Sequence, residues 1–106
     1  MKYSELLLKP SIHRALKEMG YDDMTPIQEK AIPEILAGRD LVGLAETGSG
    51  KTGACAVPLV EMVDAEDRNI QALILVPTRE LAQQYVSEIA DVAKHLGVCT
   101  TLLKKI

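Results

Sequence analysis

The chain has 106 residues, of which 47% are apolar, 25% are charged and 3% are aromatic, and its formal net charge is −3. This length corresponds to one domain or part of one, and the small negative charge excludes a global basic field that would attract nucleic acid. No apolar run reaches the length of a membrane span, and the N-terminal residues lack the features of a signal peptide. We therefore expect a cytoplasmic protein with an aliphatic core.

Helices are predicted for most of the first forty residues. The segment PSIHRALKEMG repeats apolar residues at helical spacing, and Gly20 is expected to end that helix. The segment TPIQEKAI predicts a second helix with Thr25 as its N-cap and Pro26 in its first turn. Pro33 is expected to start a separate turn, which Gly38 ends.

Strands and helices are predicted to alternate after residue 40. The apolar runs DLVGLA, QALILVPT and VCTTLL are typical of short buried strands. A helix is predicted from Lys51 to about Asp64, with a bend or interruption at Pro58. The apolar stripe of RELAQQYVSEIADVAKHLG predicts another helix, capped by Gly97. This alternation predicts an α/β fold with a parallel sheet and right-handed crossovers.

The most specific pattern in the chain is AETGSGKT, which runs from Ala45 to Thr52 between a predicted strand and a predicted helix. Gly48 and Gly50 permit backbone turns that direct N–H groups towards phosphate oxygens. Lys51 adds a positive charge near the β- and γ-phosphates, and the Thr52 hydroxyl is suited to Mg²⁺. The general pattern GxxxxGK[ST] begins with Gly, where this chain has Ala45. A glycine-rich loop that merely precedes Lys-Thr is the alternative.

Hydrolysis of a bound nucleotide requires more than this loop. P-loop enzymes also place an acid at the end of a strand, where it orients Mg²⁺ and water. No apolar run in this chain ends in a carboxylate, because QALILV ends at Pro77 and Asp64 lies in the helix predicted after the loop. The residues by themselves therefore support nucleotide binding but not turnover.

The segment GYDDMTPIQ, from Gly20 to Gln28, has the spacing of a capping box at Thr25 and Gln28, which by itself would explain both residues. Together with AETGSGKT and PTRELA, however, it resembles the DEAD-box family of ATP-dependent RNA helicases, and the three motifs span nearly the whole chain. The resemblance implies part of a RecA-like P-loop domain, truncated after its third strand. Residues 1–40 would form its Q-motif helical region and residues 41–106 its βαβαβ segment.

The resemblance also implies individual roles, with ATP and Mg²⁺ as cofactors. Gln28 would hydrogen-bond the adenine edge, Tyr21 would stack on the ring, and Thr25 would tie the Q motif to the phosphate loop. Tyr3 and Met24 stand where the family usually has Phe and Pro, whereas Ala at the first loop position is the family's usual residue. Lys51 and Thr52 would be catalytic, and Thr52 would bind Mg²⁺. The implied ATP-binding set is Tyr21, Thr25, Gln28, Ala45, Glu46, Thr47, Gly48, Ser49, Gly50, Lys51 and Thr52.

The segment PTRELA resembles the family motif that contacts the RNA backbone. By this resemblance Pro77, Thr78 and Arg79 would bind RNA phosphate, independently of base sequence and with a strong dependence on salt. An ordinary helix start, with Thr78 as its cap, is the alternative reading of the same residues.

The resemblance implies that the chain covers about half of the family's first domain, and the sequence contains neither the Asp-Glu-Ala-Asp acid box nor the family's later motifs. We therefore expect the ATP-binding fragment of an RNA helicase, inactive in hydrolysis by itself, whose parent protein binds RNA. Unpaired strand edges would make the fragment a marginal monomer that is prone to self-association. The alternatives are a nucleotide- or RNA-binding module without turnover, an inactive fragment, and a small-molecule P-loop kinase, which would not explain the other two motifs.

Overall fold

The computed structural model describes residues 1–45 and 48–97 of the chain. This part contains a 3₁₀ turn, Tyr3–Glu5, and four helices, which are α1 (Pro10–Glu18), α2 (Pro26–Leu36), α3 (Lys51–Met62) and α4 (Arg79–Val92). Helix α3 is central, since it contacts each of the other three helices. The N-terminus of α3, where the glycine-rich loop ends, therefore faces residues from several elements.

Two helices begin at threonine residues whose hydroxyl groups accept a hydrogen bond from an N–H group of the first turn. The Thr25 hydroxyl accepts a hydrogen bond from Gln28 N at 3.4 Å, and the Gln28 side chain accepts from Thr25 N, so the predicted capping box is present. The Thr78 hydroxyl accepts from Leu81 N at 3.2 Å and caps α4 in the same way. These caps fix where each helix starts and hence which way its first side chains point.

The prolines do not divide the helices that contain them. Pro33 was expected to start a separate turn, but α2 runs through it without interruption, and α3 likewise continues through Pro58. Each proline leaves one carbonyl without its usual helical N–H partner. Pro33 lies on the exposed side of α2, where water can satisfy that carbonyl, and the packing around buried Pro58 holds α3 together.

Helix α4 ends earlier than its apolar stripe predicts. The last helical residue is Val92, and residues 93–97 form turns in which Leu96 N donates to Ala93 O at 2.9 Å. Gly97 has a φ of 57°, which is the left-handed conformation expected of a glycine that ends a helical segment.

The predicted parallel sheet is not observed within residues 1–45 and 48–97, which contain only an isolated bridge between Lys2 and Asp23. The runs expected to form the first two strands are irregular, and Val42, Leu44 and Leu75 are 89%, 93% and 85% exposed. A strand needs a neighbour that pairs with its N–H and C=O groups, and no described residue supplies one to either run. The third predicted strand, at residues 98–103, lies outside the described part. Self-association through strand edges stays a prediction.

The hydrophobic core is aliphatic, as the composition predicts, and it lies between the four helices. Its fully buried side chains come from every helix, so no pair of helices forms it alone. Tyr3 and Leu6 extend this core below the 3₁₀ turn. The largest fully buried side chains are Ile12, Leu16, Ile32, Val57, Pro58, Val60 and Val92.

None of the helices within the described ranges combines the length and the apolar character needed to cross a membrane. The cytoplasmic location stays a prediction.

Two leucines that differ in burial provide a test of where the core lies. Leu16 is 1% exposed and Leu7 is 97% exposed. We expect Leu16→Ala to lower the free energy of unfolding by about 2–5 kcal/mol, because it leaves a cavity among α1, α3 and α4. The identical change at Leu7 should alter it by less than about 0.5 kcal/mol. Urea unfolding followed by circular dichroism measures both values, and equal losses would contradict this placement of the core.

Candidate nucleotide-binding site

A cavity of about 400 Å³ joins two segments that are distant in the sequence. One wall comes from the segment between α1 and α2 together with the first residues of α2, and the other comes from the glycine-rich loop. Its volume lies in the range of small-molecule sites. The lining residues are Tyr3, Gly20, Tyr21, Asp22, Asp23, Thr25, Gln28, Gly48 and Gly50.

The phosphate-loop end of this cavity has unused hydrogen-bonding capacity. Gly50, with a φ of 91°, is the N-cap of α3, so no capping side chain within the described residues satisfies the first N–H groups of that helix. The hydroxyl oxygen of Ser49 is buried and has no hydrogen-bond partner among the same residues. A Cβ added at Gly48 would meet nothing within 4 Å. An open helix N-terminus beside an orphaned hydroxyl fits a phosphate group.

The other loop residues that were predicted to bind ATP differ in their exposure to solvent. Lys51 is exposed at the start of α3, whereas Thr52 and Ala45 are half-buried. Glu46 and Thr47 lie outside the described residues.

Gln28 connects the two walls of the cavity, and it is 4% exposed. Its Oε1 accepts hydrogen bonds from the Tyr3 hydroxyl and from Thr25 N, the latter at 3.1 Å. Its Nε2 donates to Gly50 O at 3.1 Å. Thus the predicted base-reading side chain already touches the backbone of the phosphate loop. Of its two acceptor sites and two donors, only one donor is left without a partner.

Two glycines make room for this amide. A Cβ added at Gly50 would lie 2.7 Å from both Gln28 Nε2 and Thr25 Oγ1, and one added at Gly53 would lie 2.8 Å from Gln28 Nε2. Gly53 lies inside α3, where glycine is less favourable than alanine by about 0.5–1 kcal/mol. The close approach of the Gln28 side chain explains why a glycine occupies that helical position.

Tyr21 lines the cavity in the segment between α1 and α2, and two contacts hold it there. Its ring centroid lies 5.8 Å from that of Tyr3 with an interplanar angle of 30°, and its hydroxyl donates to Glu88 Oε1 on α4. Burial, followed by the hydrogen bond and charge of Glu88, raises the pKa of Tyr21 to about 12. Burial also raises the pKa of Tyr3. Both phenols are therefore neutral at physiological pH.

The position of Tyr3 depends on backbone pairing with the segment that precedes α2. Tyr3 N donates to Asp22 O at 2.9 Å, and Met24 N donates to Met1 O at 3.0 Å. The DEAD-box resemblance implies Pro in place of Met24, and a proline has no N–H for the second of these bonds. The two departures from the family pattern, Tyr3 and Met24, thus support the same N-terminal segment.

Sequence reasoning did not identify Glu88, which lies beside the cavity through its bond to Tyr21. A weak signal was present, because Glu88 follows Leu81 and Tyr85 at the helical spacing of the apolar stripe and therefore faces inward. A carboxylate at such a position needs a hydrogen-bond donor, and the sequence alone did not indicate that Tyr21 is that donor.

The predicted RNA-contact residues are separate from this cavity. Pro77, Thr78 and Arg79 are all exposed at the start of α4, and none of them lines the cavity. The Thr78 hydroxyl caps α4, as the alternative reading of Thr78 predicts.

Comparison with known proteins identifies the family. Residues 25–105 match the family model described as DEAD/DEAH box helicase. The chain belongs to this family. It is 51% identical over 98 residues to an ATP-dependent RNA helicase CshA of Limosilactobacillus reuteri, covering 92% of this chain and 20% of the relative. It is 46% identical over 94 residues to the ATP-dependent RNA helicase DeaD of Escherichia coli K12, covering 89% and 15%. The chain thus spans only 20% and 15% of the length of these two relatives.

Solved structures of DEAD-box proteins have the same fold. The crystal structure of a DEAD box protein from Methanococcus jannaschii superposes with a TM-score of 0.82 at 41% identity, covering 96% of this chain and 27% of that one. The RNA helicase Prp28 from Chaetomium thermophilum bound to ADP gives a TM-score of 0.83 at 40% identity, covering 97% and 26%. The family prediction made from the three motifs is therefore confirmed.

Because Gln28 lies close to Gly53, we expect that replacing this helical glycine with alanine lowers the stability of the chain instead of raising it. An alanine inside a helix normally stabilises it by about 0.5–1 kcal/mol. We expect Gly53→Ala to destabilise this chain by about 1 kcal/mol, because the added methyl displaces the Gln28 amide from Gly50 O. In a Gln28→Ala background the same change should stabilise the chain. Urea unfolding of the unaltered chain, the two single variants and the double variant measures this, and stabilisation by Gly53→Ala in both backgrounds would refute the contact.

Proposed function

We propose that this chain is the ATP-binding part of an ATP-dependent RNA helicase, in which the nucleotide and RNA bind at different places on one RecA-like domain. The observation that carries the proposal is the cavity in which Tyr21 and Gln28 face Gly48 and Gly50. An aromatic ring at one end and an open helix N-terminus at the other suit a ligand with both a base and phosphates. The relatives named ATP-dependent RNA helicases and the ADP-bound relative support this reading.

At the base end of the cavity, Tyr21 stacks on adenine and Gln28 hydrogen-bonds its edge. The remaining Gln28 N–H can donate to a ring nitrogen of the base without breaking the bond to Gly50 O. Pairing of Gln28 Oε1 with the adenine amino group requires it to exchange one existing donor, either the Tyr3 hydroxyl or Thr25 N. Thr25 holds the start of α2 so that Gln28 stays against the loop.

At the phosphate end, backbone N–H groups from Gly48 to Thr52 and the Ser49 hydroxyl hold phosphate oxygens. Lys51, whose exposed side chain is free to turn towards the cavity, neutralises charge on the β- and γ-phosphates. Ala45, Glu46 and Thr47 complete the loop in this proposal. The Thr52 hydroxyl is the one protein ligand proposed for Mg²⁺, which supplies charge neutralisation when bound and takes its other ligands from water and phosphate.

RNA is proposed to bind at the start of α4. The exposed guanidinium of Arg79, the Thr78 hydroxyl and the N-terminus of α4 beside Pro77 can meet a phosphate of the RNA backbone. The Thr78 oxygen accepts from Leu81 N, and its hydroxyl proton remains available to donate. Such contacts carry no base information, so binding is independent of RNA sequence.

These residues bind ATP without hydrolysing it, according to the proposal. Among the described residues, the glycine-rich loop lines the cavity with Gly48 and Gly50, which carry no carboxylate, and the sequence contains no acid box that would orient Mg²⁺ and water. Turnover and duplex unwinding belong to a protein that adds those groups. A small-molecule kinase would use the same loop, but it would leave the cavity's base end and the Arg79 region without a role.

The charge of Lys51 predicts a large effect on nucleotide affinity. We expect Lys51→Ala to weaken Mg-ATP binding about 10- to 100-fold, because it removes a charge-assisted contact to phosphate. Lys30→Ala, which removes an exposed lysine from α2, should leave affinity unchanged. Isothermal titration of the 106-residue chain measures both, and equal affinities for all three proteins would refute the assignment of the phosphate site.

The proposed RNA contact predicts a change in salt dependence. Arg79→Ala should weaken binding to single-stranded oligo(A) and oligo(U) equally, and it should reduce the slope of log K against log salt by about 0.7. The matched control is Arg68→Ala, at another exposed arginine. Fluorescence anisotropy at several salt concentrations measures the slopes. A loss confined to one RNA sequence, or an unchanged slope, would contradict a phosphate contact.

A further inference from the structure

Glu88 is the one acidic side chain in the described part of the chain that accepts a hydrogen bond from a tyrosine. Its Oε1 accepts from the Tyr21 hydroxyl, and the two residues are separated by most of the chain. The same Oε1 would lie 3.6 Å from a Cβ added at Gly53, so the carboxylate also rests against the first turn of α3. Glu88 therefore lies where the base end of the cavity meets the helix that follows the phosphate loop.

The neighbours of Tyr21 leave its ring few ways to move while this bond persists. The Tyr3 ring lies beside it, and the cavity occupies another side. A tyrosine ring that is packed beside a second ring and fixed at its hydroxyl keeps one orientation, and Tyr21 in that orientation lines the cavity. A stacking surface held in place before the ligand arrives loses less entropy on binding.

We infer that Glu88 is a positioning residue for nucleotide binding: through the Tyr21 hydroxyl it holds the ring on which the base of the nucleotide stacks. This inference rests on the proposed function, since it assigns a support to the base end of the same cavity. Glu88 touches neither the base nor the phosphates. Its effect is therefore confined to ligands that carry a base.

The alternative is that Glu88 merely holds α4 against the segment preceding α2. The two roles differ in what they predict for different ligands. A structural role would change binding at both ends of the cavity, together with the stability of the chain. A positioning role affects Mg-ATP but not inorganic tripolyphosphate, which can occupy the phosphate loop without reaching Tyr21.

The test is isothermal titration of the 106-residue chain with Mg-ATP and with magnesium tripolyphosphate. We expect Glu88→Ala to weaken Mg-ATP binding about 3- to 10-fold, which corresponds to the loss of one hydrogen bond, and to leave tripolyphosphate binding unchanged. Glu88→Gln should bind Mg-ATP as the unaltered chain does, because its amide oxygen can still accept from Tyr21. Glu80→Ala, which removes an exposed carboxylate from the same helix, is the control for charge.

Tyr21→Phe provides a second variant that keeps the aromatic ring and removes only the hydroxyl. It should weaken Mg-ATP binding to the same degree, and adding Glu88→Ala to it should cause no further loss, because both changes delete one bond. The inference is overturned if the two changes weaken Mg-ATP binding additively in the double variant. It is also overturned if Glu88→Ala weakens the binding of both ligands equally, or leaves the affinity for Mg-ATP unchanged. Each of these outcomes leaves the proposed function standing. Failure of the unaltered chain to bind Mg-ATP would overturn the proposed function and this inference together.

Discussion

The contact of the Gln28 amide with the Gly50 carbonyl is the interaction on which the site depends. The capping box at Thr25 fixes the first turn of α2, and that turn directs Gln28 into the space left by Gly50 and Gly53. A buried amide without partners would cost about 1–3 kcal/mol for each unsatisfied group. Here its oxygen has two donors and its nitrogen has the loop carbonyl. The capping and base-reading interpretations of Gln28 are therefore compatible.

The N-terminal segment contributes to this site through groups that Phe and Pro, the residues implied by the family resemblance, would lack. A phenylalanine in place of Tyr3 would bury the same ring but could not donate to Gln28 Oε1. A proline in place of Met24 could not donate to Met1 O. The two residues therefore act together: the Met24 N–H adds a second backbone bond to the one from Tyr3 N to Asp22 O, and the Tyr3 hydroxyl satisfies an acceptor that would otherwise rely on Thr25 N alone.

The helices and the loop could be predicted from the sequence because their signals are local. The cap at Thr25, the stripe of α4 and the glycines before Lys51 each lie within a few residues of the structure they produce. The strands could not be confirmed in the same way, since a strand is defined by its neighbours, and those of Val42 and Leu75 are not among the described residues. Glu88 was missed for a related reason, because its partner Tyr21 is distant in sequence.

Different parts of helix α3 do different things: its middle packs in the core, and its N-terminus leaves backbone N–H groups open at the cavity. Val57 and Val60 are fully buried in the core, whereas the N-terminus has no side-chain cap and its first turn contains a glycine at Gly53. The loop before α3 consists largely of glycines and small residues, which contribute little packing of their own. Its position against α2 therefore depends on Gln28, which contacts both the loop carbonyl and the base end of the cavity. If Gln28 reads a base as proposed, a base that hydrogen-bonds the Gln28 amide would act directly on the bond that supports the phosphate loop, and recognition of the base and of the phosphates would be energetically coupled.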